Sequence, residues 1–382
     1  MKDKITQNKK YALFLCSIPG IGVRTRERLL KHFGDAKGIY EGSADELGRV
    51  LSDERLKKLL EARRVWKPDE KYDELIRKGI NFVTIEEENY PERLRNIADA
   101  PYGVFYIGRL PKEDRLSVAV IGARDCSEYG RYVAAELGRR LGSAGIQVIS
   151  GMARGIDGIS QIEALNAGGS SYAVLGSGAD VCYPAQNRHI YDRLMEGGGI
   201  ISTYPPGTAA MPGNFPPRNR IVSGLSEAIV VIEARIKSGT LITVDMALEQ
   251  GRDVYAVPGR VTDRLSDGCN SLIRQGAEVF ISPEKFIDEI LERHHMKACN
   301  ADRKAADAGC GSEKSSGLTM QNGLAEVAGE LDFTPRDADE ICSRLKNKKT
   351  VAEVSAALMQ LTLMDIAQQI SPGHFVLRKI CN

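Results

Sequence analysis

Arg124, Arg154, Arg188, Arg218, Arg220 and Lys237 stand in or beside short turns of the central chain, with Tyr129, Tyr183, Tyr204 and Phe215 spaced between them. A guanidinium grips phosphate through two parallel N–H donors, and an aromatic face stacks an unpaired base. The two together hold single-stranded nucleic acid without reading its sequence. Any one of these cations taken alone is better explained as a solvated surface charge or a local ion pair. Their recurrence in turns of one kind is what points to a shared anionic, extended ligand.

Those turns are Gly122 to Arg124, Ser150 to Gly155, Gly176 to Gly178, Pro205 to Gly207 and Ala234 to Gly239, each following an apolar, β-branched run. Buried parallel strands read this way, and in an open α/β sheet their carboxyl ends form the ligand crevice. Glycine permits close backbone approach, and helix starts offer free N–H groups to an anion. Lys237-Ser238-Gly239-Thr240 places a cation, two hydroxyls and amides at such a start. In Pro212 to Arg220, Asn219 fixes a turn, while Arg218 and Arg220 open a helix whose dipole disfavours cations there. They therefore need an anionic partner, either a ligand or a carboxylate such as Glu233 or Asp157.

Enzyme signatures are sparse. There is no Gly-x-x-x-x-Gly-Lys-Ser/Thr, Gly176-Ser177-Gly178 lacks the third glycine of the dinucleotide fingerprint, and no Gly-x-Ser-x-Gly elbow occurs. The five histidines pair with no obvious nucleophile, and the eight cysteines lack metal-ligand spacing. The expectation is a binding protein with no catalytic residue, cofactor or metal.

The elements that must position these turns are regular from Leu116 onward. Strands are expected at Ser117 to Ile121, Gln147 to Ser150, Tyr172 to Leu175, Ile200 to Thr203, Ala228 to Ile232 and Asp253 to Ala256. Helices at Gly130 to Ala144, Gly158 to Ala167, Asn187 to Glu196, Arg218 to Gly224 and Thr240 to Gln250 alternate with them, the pattern of βαβ units. Strand-like runs at Asn81 to Ile85 and Gly103 to Ile107 extend the sheet. Residues 1–68 read as all-helical, with Ile18-Pro19-Gly20-Ile21-Gly22 as the turn of a helix-hairpin-helix, and carry a net charge of +7 against +1 for the whole chain. Such a turn can meet a DNA phosphate, and it serves equally as a structural corner. Residues 297–320 lack apolar periodicity and read as a linker.

Three helices and a hairpin over 321–382 suggest a winged helix. The third of these helices, Val351 to Leu363, contains no Arg or Lys, which argues against groove docking and for packing or a protein partner. The fold class expected is therefore α/β, an extended Rossmann-like parallel-sheet domain over 69–296. It is flanked by an N-terminal helix-hairpin-helix or SAM-like domain and a C-terminal winged helix. No run is apolar enough to span a membrane and the N-terminus lacks a signal-peptide core, so a cytoplasmic location is expected.

Several long motifs occur in a specific order: Gly122-x-Arg124 with Ser127-x-Tyr129-Gly130, Ser150 to Asp157, Tyr204 to Thr208, Pro212 to Arg220, Lys237-Ser238-Gly239 and Gly268 to Ile273. Together they resemble the DNA-processing protein A family, also called DprA or Smf, over about residues 70–290. The resemblance implies a bacterial, non-enzymatic, single-stranded DNA-binding protein, typically a homodimer. Such proteins protect incoming DNA during natural transformation and help load the RecA recombinase onto it. It implies a strand pocket lined by Arg124, Arg154, Arg218, Arg220 and Lys237, with Asn187, Arg188 and Asn219 beside them. Gly151, Ser238 and Gly239 would give close backbone approach.

Two places depart from the family pattern. Ser160-Gln161 stands where Ala-His is common, and Thr203 where Glu is common. An alternative is a nucleotide-processing enzyme of the lysine-decarboxylase-like, phosphoribohydrolase type. Its glycine-rich loop would correspond to Ala234 to Thr240, without the glycine run, and Glu233 and Glu249 are its candidate acids.

Overall fold

The computed structural model describes residues 2–295, 322–345, 349–364 and 366–378. The linker expected at 297–320 lies outside the described residues. The chain forms two compact units, one built from Met1–Cys126 and Ala134–Asn300, the other from Ser127–Val133 and Ala301–Asn382.

The first unit is organised by a nine-stranded sheet, β1 (Asn81–Thr84), β2 (Gly103–Gly108), β3 (Ser117–Ile121), β4 (Gln147–Ser150), β5 (Ser171–Leu175), β6 (Gly199–Ser202), β7 (Ala228–Val231), β8 (Asp253–Ala256) and β9 (Glu278–Val279), in spatial order β1-β2-β6-β5-β4-β3-β7-β8-β9. Strands β3 to β9 are parallel, while β2 pairs antiparallel with β6 and β1 with β2, the expected extension of the sheet. The chain winds outward from β3 to β6, then returns to the other side of β3 for β7, β8 and β9. Helices Ile156–Asn166, Arg188–Gly197, Phe215–Gly224 and Gly239–Glu249 are among those that make the crossings. The winding reverses between β3 and β7, so the crevice at that switch point lies outside their carboxyl ends.

Both faces of the sheet are covered, which explains the unbroken apolar runs. Ala173 and Leu175 pack on one face with Ile190, Tyr191 and Leu194, and Tyr172 and Val174 on the other with Ile221 and Val222. Each of the larger aliphatic side chains among these, fully buried, contributes about 1.5–3 kcal/mol. The N-terminal helices Lys2–Ser17, Val23–Phe33 and Asp53–Val65 share the first of these cores: Phe14, Leu15, Leu29 and Leu59 belong to the same apolar cluster as Phe82 and Phe105 of β1 and β2.

Several boundaries differ from expectation. The helix expected from Arg218 begins at Phe215, because Pro216 and Pro217 lie in a first turn whose N–H groups need no partner within the helix. Helices Ala36–Glu41, Asp267–Arg274 and Pro283–Arg293 and the two-residue β9 are additional to the sequence reading.

In the second unit, helices Asn322–Gly329, Ala338–Arg344 and Val351–Leu363 and the hairpin β10 (Ala367–Ser371) and β11 (His374–Leu377) enclose Val327, Ile341, Val354, Leu358 and Phe375. A capping box starts the third helix: Thr350 Oγ1 accepts from the Glu353 amide at 3.3 Å, and the Thr350 amide donates to Glu353 Oε2 at 2.7 Å. The sequence pattern suits a middle helix from Arg336, but Arg336 pairs as a bridge with Phe375. The helix starts two residues later, where Asp337 caps it by accepting from the Glu340 amide at 2.8 Å.

Candidate nucleic-acid interface

The loops after β3, β4 and β5 and the start of the Phe215–Gly224 helix enclose a pocket of about 470 Å³, lined among others by Arg124, Gly151, Arg154, Tyr183, Phe215 and Arg218. Phe215 is its centre. The guanidinium carbons of Arg124 and Arg218 each lie 5.7 Å from its ring centroid, and the Tyr183 ring lies 5.7 Å away at an interplanar angle of 34°. Arg124 and Arg154 are exposed, the latter paired with Asp125 at 3.4 Å, and Tyr183 is 43% exposed. Beneath Phe215 the floor is backbone: a Cβ at Gly176 would meet its ring at 3.0 Å.

Arg218 is built differently from the other cations. It is 7% exposed, and its Nη1 donates to Gly151 O at 2.9 Å and to Val174 O, tying β4's loop to β5. Its Nε donates to Asn219 Oδ1 at 3.1 Å, so Asn219 orients the arginine within the helix. Burial pulls the Arg218 guanidinium down to about 10, with Arg124 adding to the fall and Asp157 opposing it. Burial likewise pushes the Asp157 carboxyl above its ordinary range, against the charge of Arg218 and hydrogen bonds from Ser150 and the Gly151 and Ala153 amides. Asp157 is therefore the buried carboxylate whose charge acts on the arginine through space, without a salt bridge between them.

The loop Ser150 to Gly155 is clamped at almost every polar atom. Asp157 Oδ2 accepts from the Gly151 amide at 3.1 Å, Gln161 Oε1 from the Met152 amide at 3.1 Å, and Asn187 Nδ2 donates to Met152 O at 2.9 Å and Ala153 O at 3.1 Å. These bonds hold Met152 in a left-handed conformation with φ 54°, which glycine or asparagine would adopt more readily. Gln161 also donates to Tyr172 O at 3.0 Å and is fully buried. At this departure from the family pattern the neutral amide is a structural bracket. No periodicity or charge pattern in the sequence identifies that role.

The structure therefore brings together Arg124, Gly151, Arg154 and Arg218, with Phe215 and Tyr183 between them. It does not bring the remaining residues to the same place. Arg220, two positions along the helix from Arg218, turns the other way to Asp99, with Nη1 to Oδ2 at 3.2 Å and Nη2 to Asp99 O at 2.8 Å. Asn187 is buried as the loop clamp, and Arg188 is exposed but paired with Asp192 of its own helix at 2.9 Å. Lys237, Ser238 and Gly239 form the neighbouring turn, across the switch point. Ser238 is the N-cap of the Gly239–Glu249 helix, and Thr240 Oγ1 donates to Gly122 O at 3.4 Å, joining this turn to the one that carries Arg124.

Gly151 tests the fit of the floor. A Cβ there would lie 2.5 Å from Arg218 Nη1, whose two carbonyl bonds leave it little freedom. Gly151→Ala is expected to lower stability by about 1–3 kcal/mol, read as a lower denaturation midpoint. An unchanged midpoint would mean that the guanidinium can swing aside.

Among the described residues no group of three or more His, Cys, Asp or Glu side chains is arranged to hold a metal, and no helix is long and apolar enough to cross a membrane. A mostly parallel α/β sheet covered on both faces, with arginines and an aromatic ring gathered at its strand ends, defines a class of protein that takes up an extended anion in its crevice. The family model described as DNA recombination-mediator protein A matches residues 81–291, and the chain belongs to that family. It is similar to Protein Smf of Escherichia coli strain K12, 33% identical over 79% of each chain. The solved structure of DNA processing protein A from Streptococcus pneumoniae matches with a TM-score of 0.65 at 31% identity, covering 73% of this chain and 97% of the other. That of DNA processing protein A from Helicobacter pylori, reported for its single-stranded DNA binding mode, matches with a TM-score of 0.51 at 28% identity over 56% of this chain and 97% of the other.

Proposed function

We propose that this protein binds single-stranded DNA in the Phe215 pocket of an extended Rossmann-like domain and, as a non-enzymatic cytoplasmic factor, protects incoming strands in natural transformation and loads the RecA recombinase onto them. The observation that carries the reading is Phe215 set between Arg124 and Arg218 and beside the exposed Tyr183. An unpaired base can stack on such a ring while its phosphates meet the outer guanidinium, and a duplex offers no free base face. The Helicobacter pylori relative, solved for its single-stranded DNA binding mode, supports the same ligand here.

The flanking parts fit auxiliary roles. Gly20, with φ 84°, and Gly22 at the start of the Val23–Phe33 helix are exposed beside Arg24, as a helix-hairpin-helix phosphate contact requires. The C-terminal helices and hairpin suit a winged helix whose exposed Met359 and Leu363 favour a protein partner over a DNA groove. The sheet ends on β9 with Val279 and Ile281 exposed, an edge that a second copy can cover in a homodimer.

The phosphoribohydrolase alternative meets a geometric obstacle. Glu249 ends the helix that Gly239 begins, about 15 Å from the phosphate-cradle end, and Glu233 is 2% exposed. Anisotropy titration with labelled single-stranded and duplex oligonucleotides of one length separates the readings: tight, salt-sensitive, single-strand-preferring binding is expected. Arg220→Ala should weaken it less than Arg124→Ala, because Arg220 is spent on Asp99. Turnover of a nucleoside monophosphate without oligonucleotide affinity would reject the proposal.

A further inference from the structure

Cations continue beyond the pocket. Strand order sets the carboxyl ends of β4, β3, β7 and β8 side by side, with neighbours about 4.8 Å apart. Each end carries positive charge: Arg154 after β4, Arg124 after β3, Arg235 and Lys237 after β7, and Arg260 and Arg264 after β8. Hydrogen bonds hold these loops in register. Thr240 Oγ1 reaches Gly122 O at 3.4 Å, and the Ala234 amide donates to Leu265 O at 2.8 Å, so Arg235 and Arg264 spring from adjacent backbone. Both are exposed.

Two apolar side chains stand among these charges, Ile236 at 59% and Val261 at 88% exposed. Within this row Arg154 is paired with Asp125 at 3.4 Å, whereas Asp263 accepts from the Leu265 amide of its own loop at 2.9 Å. A compact anion needs one cradle. Cations distributed over four strand ends, interleaved with apolar tips, match a chain of phosphates whose sugars and bases present apolar faces.

We infer that the strand held in the pocket runs on across the switch point, over the ends of β7 and β8, with its phosphates against Arg235 and Arg264 and its sugars or bases against Ile236 and Val261. This rests on the single-strand reading of the pocket and adds a direction and a second contact zone to it.

The test uses the full chain and thymidine oligomers of two lengths, about 2 and about 20 nucleotides, the shorter unable to reach from the end of β3 to that of β8 across two strand spacings of about 4.8 Å. In the double variant Arg235→Ala, Arg264→Ala the long oligomer should bind roughly tenfold more weakly near 0.1 M salt. The slope of log affinity against log salt should shrink by about 1.4, the value for two lost single-strand phosphate contacts. The short oligomer should bind as before, whereas Arg124→Ala should weaken both. Arg264→Glu, which puts repulsion in the same place, should weaken the long oligomer further than Arg264→Ala. Equal losses for both lengths, or none for the long one, would overturn the inference. If Arg124→Ala changes neither length, the pocket reading itself fails and the continuous path fails with it.

Discussion

Arg218→Ala is expected to destabilise the protein by about 2–4 kcal/mol, because two buried carbonyls lose their donor and a buried carboxyl loses the positive charge acting on it. For a unit of this size that lowers the melting temperature by roughly 10 °C. Three things are lost together: the bonds to Gly151 O and Val174 O that join two strand ends, the packing against Phe215, and the charge that offsets buried Asp157. The pH dependence gives the mechanism away. Without Arg218 the Asp157 carboxyl has only hydrogen bonds to oppose burial, so its folded-state pKa rises further above the unfolded one. A raised carboxyl contributes stability that is present at low pH and is lost as pH rises through the folded pKa. The deficit against the parent protein should therefore grow as pH rises from the ordinary carboxylate range toward neutrality. A deficit independent of pH would reduce Arg218 to a packing residue. Arg218→Lys should rescue little, because an ammonium cannot reproduce the planar fork that spans two carbonyls.

Phe215→Ala and Arg124→Ala should produce the largest losses of single-strand affinity, by different routes. Removing the ring deletes one stacked base, worth about 1–3 kcal/mol, with little change in salt dependence. Removing Arg124 deletes a phosphate contact and should reduce the salt slope by about 0.7. The two are not independent, since Arg124 lies 5.7 Å from the Phe215 centroid and each helps hold the other. The double variant should accordingly lose less than the sum of the single losses, the mark of coupled contacts. Strict additivity, or an unchanged salt slope in Arg124→Ala, would count against one strand touching both side chains.

Much of this geometry was legible in the sequence, and the limits have physical causes. The strands from Ser117 to Ala256 could be read because a sheet buried on both faces demands apolar, β-branched runs, and the cations beyond them because a phosphate site needs glycine and free amides there. The sequence could not say which way a side chain points. Arg218 and Arg220 sit in one motif, yet two helical positions turn the chain by about 200°, so one enters the pocket floor and the other grips Asp99. Asn187 and Gln161 carry polar side chains suited to a ligand and instead brace the Ser150 to Gly155 loop. Short amphipathic helices such as Asp267–Arg274 escaped because a helix of two turns shows too few periods to stand out.

By itself, then, the sequence determined the sheet, the turns at its carboxyl ends, their charge and the kinship with DNA-processing proteins. All of these follow from local periodicity and from motifs contiguous in the chain. Only the tertiary structure decided which cations share a site, because that depends on strand order. β3 lies between β4 and β7, so Arg124 meets Arg154 on one side and the Ala234 to Gly239 turn on the other. It also decided that Arg218 is a buried brace and not a surface grip, since burial is a property of everything packed around a residue and leaves no mark on the residue's own neighbours in sequence.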